Sequence, residues 1–502
     1  MKRPGYLLIA WAIFAALPAQ AQITAFKHIV IIVQENRTPD NLFAAMCQQL
    51  GGSATCDPTD NTKYDILTDG WKNGSQGTVT PVPVDLGIGW DIEHHHLPDW
   101  VNMCDQHGTA CRMDGAANEN CKGGSCPTNY PPEFSYVQRY TAGADVLGPY
   151  INLALTYGWA NLMFQTNQGP SFPAHQFIYG ATSAPSTSDD GSGTYAAENL
   201  AGTPNGCLAD QGTAVALITN GVEAAGNYQY PCFQHQTLGT LGGSPTAPTW
   251  RYYTPGEGSL WTAPTAILSE CGVSNQNGGN NKACTGPEFS NHNVFDDPTQ
   301  VLKDIGNCQL RNVSWVIPKG QYSDHAGIDT DEGPQWVASI VNTLGASQCT
   351  DSGKTYWQDT AIVITWDDWG GWYDHEPPPL NQPLGYQLGF RVPLLFVSAY
   401  GPNNTNGKCI GYIEGSGTKV GEVLDFGSIA NFIEGNFLGS EGLLGFADAR
   451  AVQRGQQNNW PEDLSDFYNL NQQACTFLPI PTQIDAQYFI DDTSPVQPPD
   501  DE

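Results

Sequence analysis

The chain has 502 residues, of which 51 are acidic and 20 basic, leaving a formal net charge of −31. A surface that negative repels nucleic acid and anionic membranes, which argues against polyanion-tracking functions, so an anionic substrate must find its positive charge locally, in a metal ion, an arginine or a histidine. The length allows one large domain or several modest ones with ample core.

Residues 2–21 have the pattern of an export signal: Lys2 and Arg3, an apolar run from Leu7 to Leu17, and Ala19-Gln20-Ala21 as a cleavage site. The run is too short to span a bilayer and no other stretch offers about twenty uninterrupted apolar residues, so the mature chain is expected to be soluble outside the cytoplasm. All 14 cysteines follow that site. An even count in an exported chain favours disulfides over a metal cluster. The spacings Cys47/Cys56, Cys104/Cys111 and Cys121/Cys126 suggest local staples, with the connectivity left open.

Lys27 to Val33 is an apolar, β-branched run that predicts a buried strand, and it releases Gln34-Glu35-Asn36-Arg37 at its carboxyl end. Glu35 and Asn36 either bond within a turn or face a ligand, and Arg37 either orients an anion or pairs with Asp40. From Asp57 to Cys126 the composition is that of long stapled loops, with Asp91-Ile92-Glu93-His94-His95-His96 inside. Three consecutive histidines point in different directions, so at most one or two serve one site.

Leu147–Tyr157 is expected to be a helix and Trp159–Phe164 a short strand. Gly169-Pro170-Ser171-Phe172-Pro173 then opens a helix through Tyr179. Ser171 is there either as a cap or because a helix N-terminus stabilises an alkoxide and a bound phosphate. The region to about Asn281 is Gly- and Asn-rich, irregular with short strands, and a candidate cover for the main sheet. Asn312–Ile317 predicts a strand, followed by Ser323-Asp324-His325; Gly333–Leu344 predicts a helix and Pro393–Ser398 a buried strand.

Between these last two, Ala361–Thr365 predicts another buried strand that delivers Asp367 and Asp368 at its carboxyl end, where ligands sit in open α/β sheets. Adjacent side chains of a strand face opposite ways, so both carboxylates meet one ligand only if the backbone leaves the pleat, a turn that Gly370 and Gly371 permit. Trp366, Trp369, Trp372, Tyr373 and His375 surround them in sequence. The aromatics are either core or faces for a cationic headgroup, and His375 is expected to support the aspartates. Strands alternating with helices give an α/β class with a mainly parallel central sheet. The chain divides into the signal (1–21), a catalytic domain (22–455) and a C-terminal extension (456–502) whose last dozen acidic, Pro-rich residues are expected to be disordered.

The motifs HIVIIVQENRTPDNLF, MDG, GPSFPAHQFIYGATS, SDHAG, GPQWVASIVNTL, DTAIVITWDDWGGWYDH and GFRVPLLFVSAYG resemble, in this order, those of bacterial phosphoesterases, a family of secreted phospholipases C and acid phosphatases. The resemblance covers roughly residues 26–450 and implies an alkaline-phosphatase-like core. It also implies metal ligands at Glu35, Asn36, Asp367 and Asp368, a nucleophile at Ser171 that also contacts the metal, and phosphate-contacting or proton-donating histidines at His325, His292 and His94.

An oxygen-rich set of this kind suits one divalent ion, calcium, magnesium or manganese, with zinc as a further candidate. The expected reaction is in-line attack of Ser171 on phosphorus, then hydrolysis of the phosphoserine. Phosphodiester cleavage of the phospholipase C kind is favoured over an exported acid phosphatase. A Ser-His-Asp esterase has no GxSxG elbow to support it, and a secreted binding protein or inactive relative would be free to lose residues that are all present. The expected partner is a phosphate ester, a phospholipid among the candidates, and no nucleic acid.

Overall fold

A computed structural model describes residues 24–107, 110–200, 202–241, 248–273, 282–380, 386–414, 422–459 and 463–497. The expected export signal lies outside the described residues. Among them, no helix is long and apolar enough to cross a membrane.

The two long apolar runs become neighbouring central strands, His28–Gln34 (β1) and Thr360–Trp366 (β6), with every residue of both buried. Runs buried on both faces are what a parallel sheet requires. They pair in parallel with Ile31 opposite Val363 and Gln34 opposite Trp366. The residues that follow, Glu35 and Asp367, therefore leave the sheet at the same level.

The remaining strands are Gly158–Ala160 (β2), Trp250–Tyr253 (β3), Val294–Phe295 (β4), Val313–Val316 (β5), Leu394–Ser398 (β7) and Tyr412–Glu414 (β8). They complete an eight-stranded sheet in the order β4-β3-β5-β1-β6-β7-β2-β8. Only β7 runs against the others, pairing antiparallel with both β6 and β2. Helices Pro39–Gln49 (α1), Gly148–Thr156 (α2), Ser171–Gly180 (α3), Gly333–Ala346 (α4) and Phe426–Leu438 (α5) are mostly buried and contribute to the same core. Thr38 Oγ1 caps α1 by accepting from Asn41 N at 3.2 Å, with Pro39 at the first helical position.

Three expectations change. The predicted strand from Trp159 ends at Ala160, and Met163 and Phe164 make only isolated bridges. The Gly-rich region holds a three-stranded antiparallel sheet, Thr194–Ala196, Val215–Thr219 and Val222–Gln229, and it also contributes β3 to the main sheet. Of the tail, residues 491–497 are ordered against the body: Tyr322 donates to Asp492, Gln321 Nε2 donates to Pro495 O at 3.3 Å, and Gln497 N donates to Gln321 Oε1 at 3.1 Å. Phe467, Cys475, Ile480 and Phe489 of the C-terminal extension lie in the main hydrophobic core.

Seven disulfides use every cysteine: Cys47–Cys56, Cys104–Cys111, Cys121–Cys126, Cys207–Cys232, Cys271–Cys284, Cys308–Cys349 and Cys409–Cys475. The three short spacings are staples as expected. The pairing is consistent with an extracellular or periplasmic protein.

His375 departs from the role expected of it. Its Nδ1 donates to Asp40 Oδ2 at 2.8 Å and its Nε2 to Asp65 Oδ1 at 3.0 Å, while the buried Arg391 binds Asp65 and Asp374 at 3.0 and 3.1 Å. The β6 loop doubles back toward α1, so the ring turns from Asp367 and Asp368 into a knot that pins the loop at Asp65. Burial disfavours a charged ring, but Asp40 and Asp65 outweigh it and push the His375 pKa from 6.5 up to about 10.

Both features give testable outcomes. Cys409–Cys475 spans 66 residues and closes the longest loop; replacing the pair with alanine is expected to lower stability by roughly 2–5 kcal/mol in denaturant titration. Abundant free thiols in denatured, unreduced protein would contradict the pairing. Because the folded His375 pKa lies above the unfolded one, its contribution to stability is complete below about pH 6.5 and declines as pH rises through about 10. Urea unfolding across that range is expected to show the decline in the wild type and a flatter profile in His375→Gln.

Candidate active site

At the carboxyl end of β1 and β6 the chain has no regular partner to continue with, and two local departures from the pleat shape the site. Asn36 adopts φ 60, and Gly370 and Gly371 adopt φ 61 and 76. A Cβ on Gly370 would lie 2.5 Å from Asn36 O, so the two turns pack with no room for a side chain. Asp367 N continues the ladder by donating to Gln34 O at 2.9 Å, and Asn36 N donates back to Asp367 Oδ1 at 3.0 Å. Asp368 Oδ1 accepts from Gly370 N at 2.8 Å, which folds its carboxylate toward its neighbour's side of the sheet.

Ser171 is the first residue of α3. Its Oγ donates to Asp368 Oδ2 at 3.0 Å. The serine does not cap its helix; Asn199 takes over that task, its Oδ1 accepting from Phe172 N at 2.8 Å. One turn further on, His175 Nε2 donates to Glu35 Oε1 at 3.2 Å and lies 3.7 Å from Asp367 Oδ2. Sequence reasoning passed over this histidine although GPSFPAH contains it. Its signal was spacing: residues i and i+4 of a helix share a face, so a serine at 171 directed into the site brings His175 with it.

His94 and His325 flank Asn36, whose Nδ2 donates to the Nε2 of both at 3.0 Å. Their Nδ1 atoms are held by the backbone oxygens of Ile92 at 2.9 Å and Ala326 at 2.6 Å, which leaves Nε2 of each ring facing the site. His95 instead pairs with Asp99 and His96 with Glu223, so one member of the triplet reaches the cluster.

His292 does not join it. It is exposed, in a left-handed turn with φ 56 beside Phe295. It precedes β4, the edge strand three places from β1, and so lies at the entry end of its strand whereas the cluster is at the exit end of β1 and β6. Arg37 takes neither expected role: buried under Trp372, it donates to the backbone oxygens of Asp324 and Leu86 and to Asn41 Oδ1. Trp366, Trp369, Trp372 and Tyr373 are all 0% exposed. Trp366 donates to Asp324, Trp369 packs on Phe390 and Tyr373 stacks on Trp71, so packing claims the faces that a headgroup would need.

The electrostatics of the cluster are unbalanced. Glu35, Asp367 and Asp368 are fully buried, and among the described residues no lysine or arginine pairs with Glu35 or Asp367. Burial, then Asp367 and the neighbouring aspartates, push the Glu35 pKa well above its ordinary value. Burial also acts to raise Asp367, but His175, Glu35 and Ser171 together hold it below the usual carboxylate value. Burial lowers His175 to about 4, so the ring is neutral. Glu35 Oε2, Asn36 Oδ1 and Asp367 Oδ2 are buried acceptors without a hydrogen-bond partner. Native proteins rarely leave such atoms unsatisfied. Glu35, His175 and Asp367 each place a ligand atom within 4.8 Å of the others. Hard carboxylate and amide oxygens with one imidazole beside them fit a divalent cation of the calcium, magnesium, manganese or zinc kind.

Comparison with known proteins places the chain among phosphate-ester hydrolases. The family model described as Phosphoesterase family matches residues 26–438. Phospholipase C B of Mycobacterium tuberculosis is 24% identical over 428 residues, covering 77% of this chain and 71% of that protein. Phospholipase C A of the same organism is 21% identical over 415 residues, covering 77% and 70%. Over a shorter stretch, the non-specific phospholipase C5 of Arabidopsis thaliana is 31% identical over 91 residues, 15% of this chain and 16% of its own.

Proposed function

The chain belongs to the phosphoesterase family, and from that premise we propose a secreted, metal-dependent phosphoesterase that works through a phosphoserine at Ser171, with phospholipase C-like phosphodiester cleavage favoured. It is a hydrolase of phosphate esters. The observation that carries the mechanism is the hydrogen bond from Ser171 Oγ to Asp368 Oδ2, made at a helix N-terminus beside buried, unpaired acceptor oxygens. The alkaline-phosphatase-like core implied by the motifs belongs to the same proposal.

Glu35, Asn36, Asp367 and Asp368 would hold a divalent cation, which when bound would supply Lewis-acid charge for the phosphate and lower the pKa of the serine hydroxyl. Asp368 aims the hydroxyl, takes its proton as Oγ attacks and returns it to Oγ when the phosphoserine is cleaved. Ser171 Oγ bonds to phosphorus as the bond to the departing alcohol breaks in line. Once protonated at Nε2, in place of the hydrogen bond it accepts from Asn36, His325, with His94 across Asn36, gives that proton to the alcohol and takes one back from the water that later cleaves the phosphoserine. His175 holds Glu35 in place.

A second reading, an exported acid phosphatase acting on monoesters, is favoured by one observation. The four aromatics next to the aspartates are core, which removes the cation-π argument for a quaternary ammonium headgroup. The similarity to phospholipases C keeps diester cleavage first.

Ser171→Ala is expected to fold normally, because the serine does not cap its helix, and to lose activity by at least about a thousand-fold. Exhaustive chelation should abolish turnover and readdition of a divalent ion restore it. Retention of more than about a tenth of the rate by Ser171→Ala would favour direct attack by water. Specificity constants for 4-nitrophenyl phosphorylcholine and 4-nitrophenyl phosphate on one preparation are expected to favour the diester; a clear preference for the monoester would establish the second reading.

A further inference from the structure

Away from the catalytic cluster, three segments far apart in sequence bring metal-ligating side chains together. His96 is the last of the histidine triplet, Glu198 follows the first strand of the cover sheet, and Glu223 lies on its outer strand. His96 Nδ1 is 2.8 Å from Glu223 Oε2, and each of the three residues offers a ligand atom within 4.8 Å of the other two. Glu198 Oε1 accepts from Leu97 N at 3.0 Å. Its other oxygen, Oε2, is buried with no hydrogen-bond partner.

Two carboxylates so close repel each other unless a positive charge lies between them. The hydrogen bond of His96 engages Glu223 and leaves Glu198 Oε2 without a partner. From this arrangement we infer that His96, Glu198 and Glu223 form a second divalent-cation site, separate from the catalytic one and structural in role. One nitrogen and two carboxylates form the ligand set of a zinc- or manganese-type ion, with water completing the coordination.

The position gives the ion a task. A Cβ on Gly169 would lie 2.0 Å from Ala197 O and 3.5 Å from His96 Cβ, so the Gly169–Ser171 turn is pressed directly onto both segments. Asn199, adjacent to Glu198, caps α3 at Phe172. A cation joining His96, Glu198 and Glu223 therefore clamps the cover sheet and the histidine loop against the turn that presents Ser171.

The test uses full-length protein stripped by chelation and reloaded with zinc or manganese alone. Equilibrium dialysis with elemental analysis is expected to find one equivalent fewer in Glu223→Gln than in wild type, and the ion-induced rise in Tm should shrink. Glu198→Gln, which keeps an oxygen for Leu97 N, is expected to lose the same equivalent. Asp367→Asn reports the catalytic ion separately, because its loss adds to that of Glu223→Gln in the double variant. An unchanged ion count in folded Glu223→Gln and Glu198→Gln would overturn the inference.

Discussion

Everything in this candidate active site follows from carboxylates delivered to one place by two parallel strands in fixed register. Glu35 and Asp367 leave β1 and β6 at the same level because Gln34 pairs with Trp366, and both are buried, with no lysine or arginine paired to them among the described residues. Burying such charge without compensation costs several kcal/mol per ion. The chain's own response is partial: Glu35 is pushed toward its protonated form, and His175 gives a hydrogen bond but no charge. Oxygens of Glu35, Asn36 and Asp367 have no hydrogen-bond partner, and the proposed divalent cation would satisfy all three at once.

The same constraint explains the surrounding structure. The Gly370–Gly371 turn is needed because two successive aspartates cannot otherwise face one point, and the close approach to Asn36 O fixes that turn against the β1 exit. Ser171 is relieved of capping by Asn199, which frees its hydroxyl for Asp368. The backbone oxygens of Ile92 and Ala326 fix the tautomers of His94 and His325, so both rings present Nε2 to one side of the site. Behind the aspartates, Asp40, Asp65, Asp374, His375 and Arg391 form a second charge cluster that is internally paired and therefore needs no ion.

Much of this was legible in the sequence because it is local. Continuous β-branched runs announce buried parallel strands, and polar residues placed just after them announce a site at the strand ends. Short cysteine spacings announce staples. Properties that depend on tertiary placement were hidden: the long-range disulfides, the reversal of β7, and β3, whose four residues lie among glycines and prolines. His292 is implied only by the resemblance, and the strand it precedes lies at the sheet edge, with the histidine at its entry end. His375 follows a YDH pattern that implies support for Asp367 and Asp368, whereas the turn between them carries its ring to Asp40 and Asp65. The tryptophans could not be sorted into core or binding face without burial, and His175 required the helical phase of Ser171.

The account rests on a cation bound where β1 and β6 end. Diffraction data collected on both sides of the manganese absorption edge, from crystals of active protein reconstituted with manganese, test this directly. The account predicts an anomalous peak about 2.0–2.4 Å from oxygens of Glu35, Asn36 and Asp367. Active crystals with no peak among these residues would contradict it.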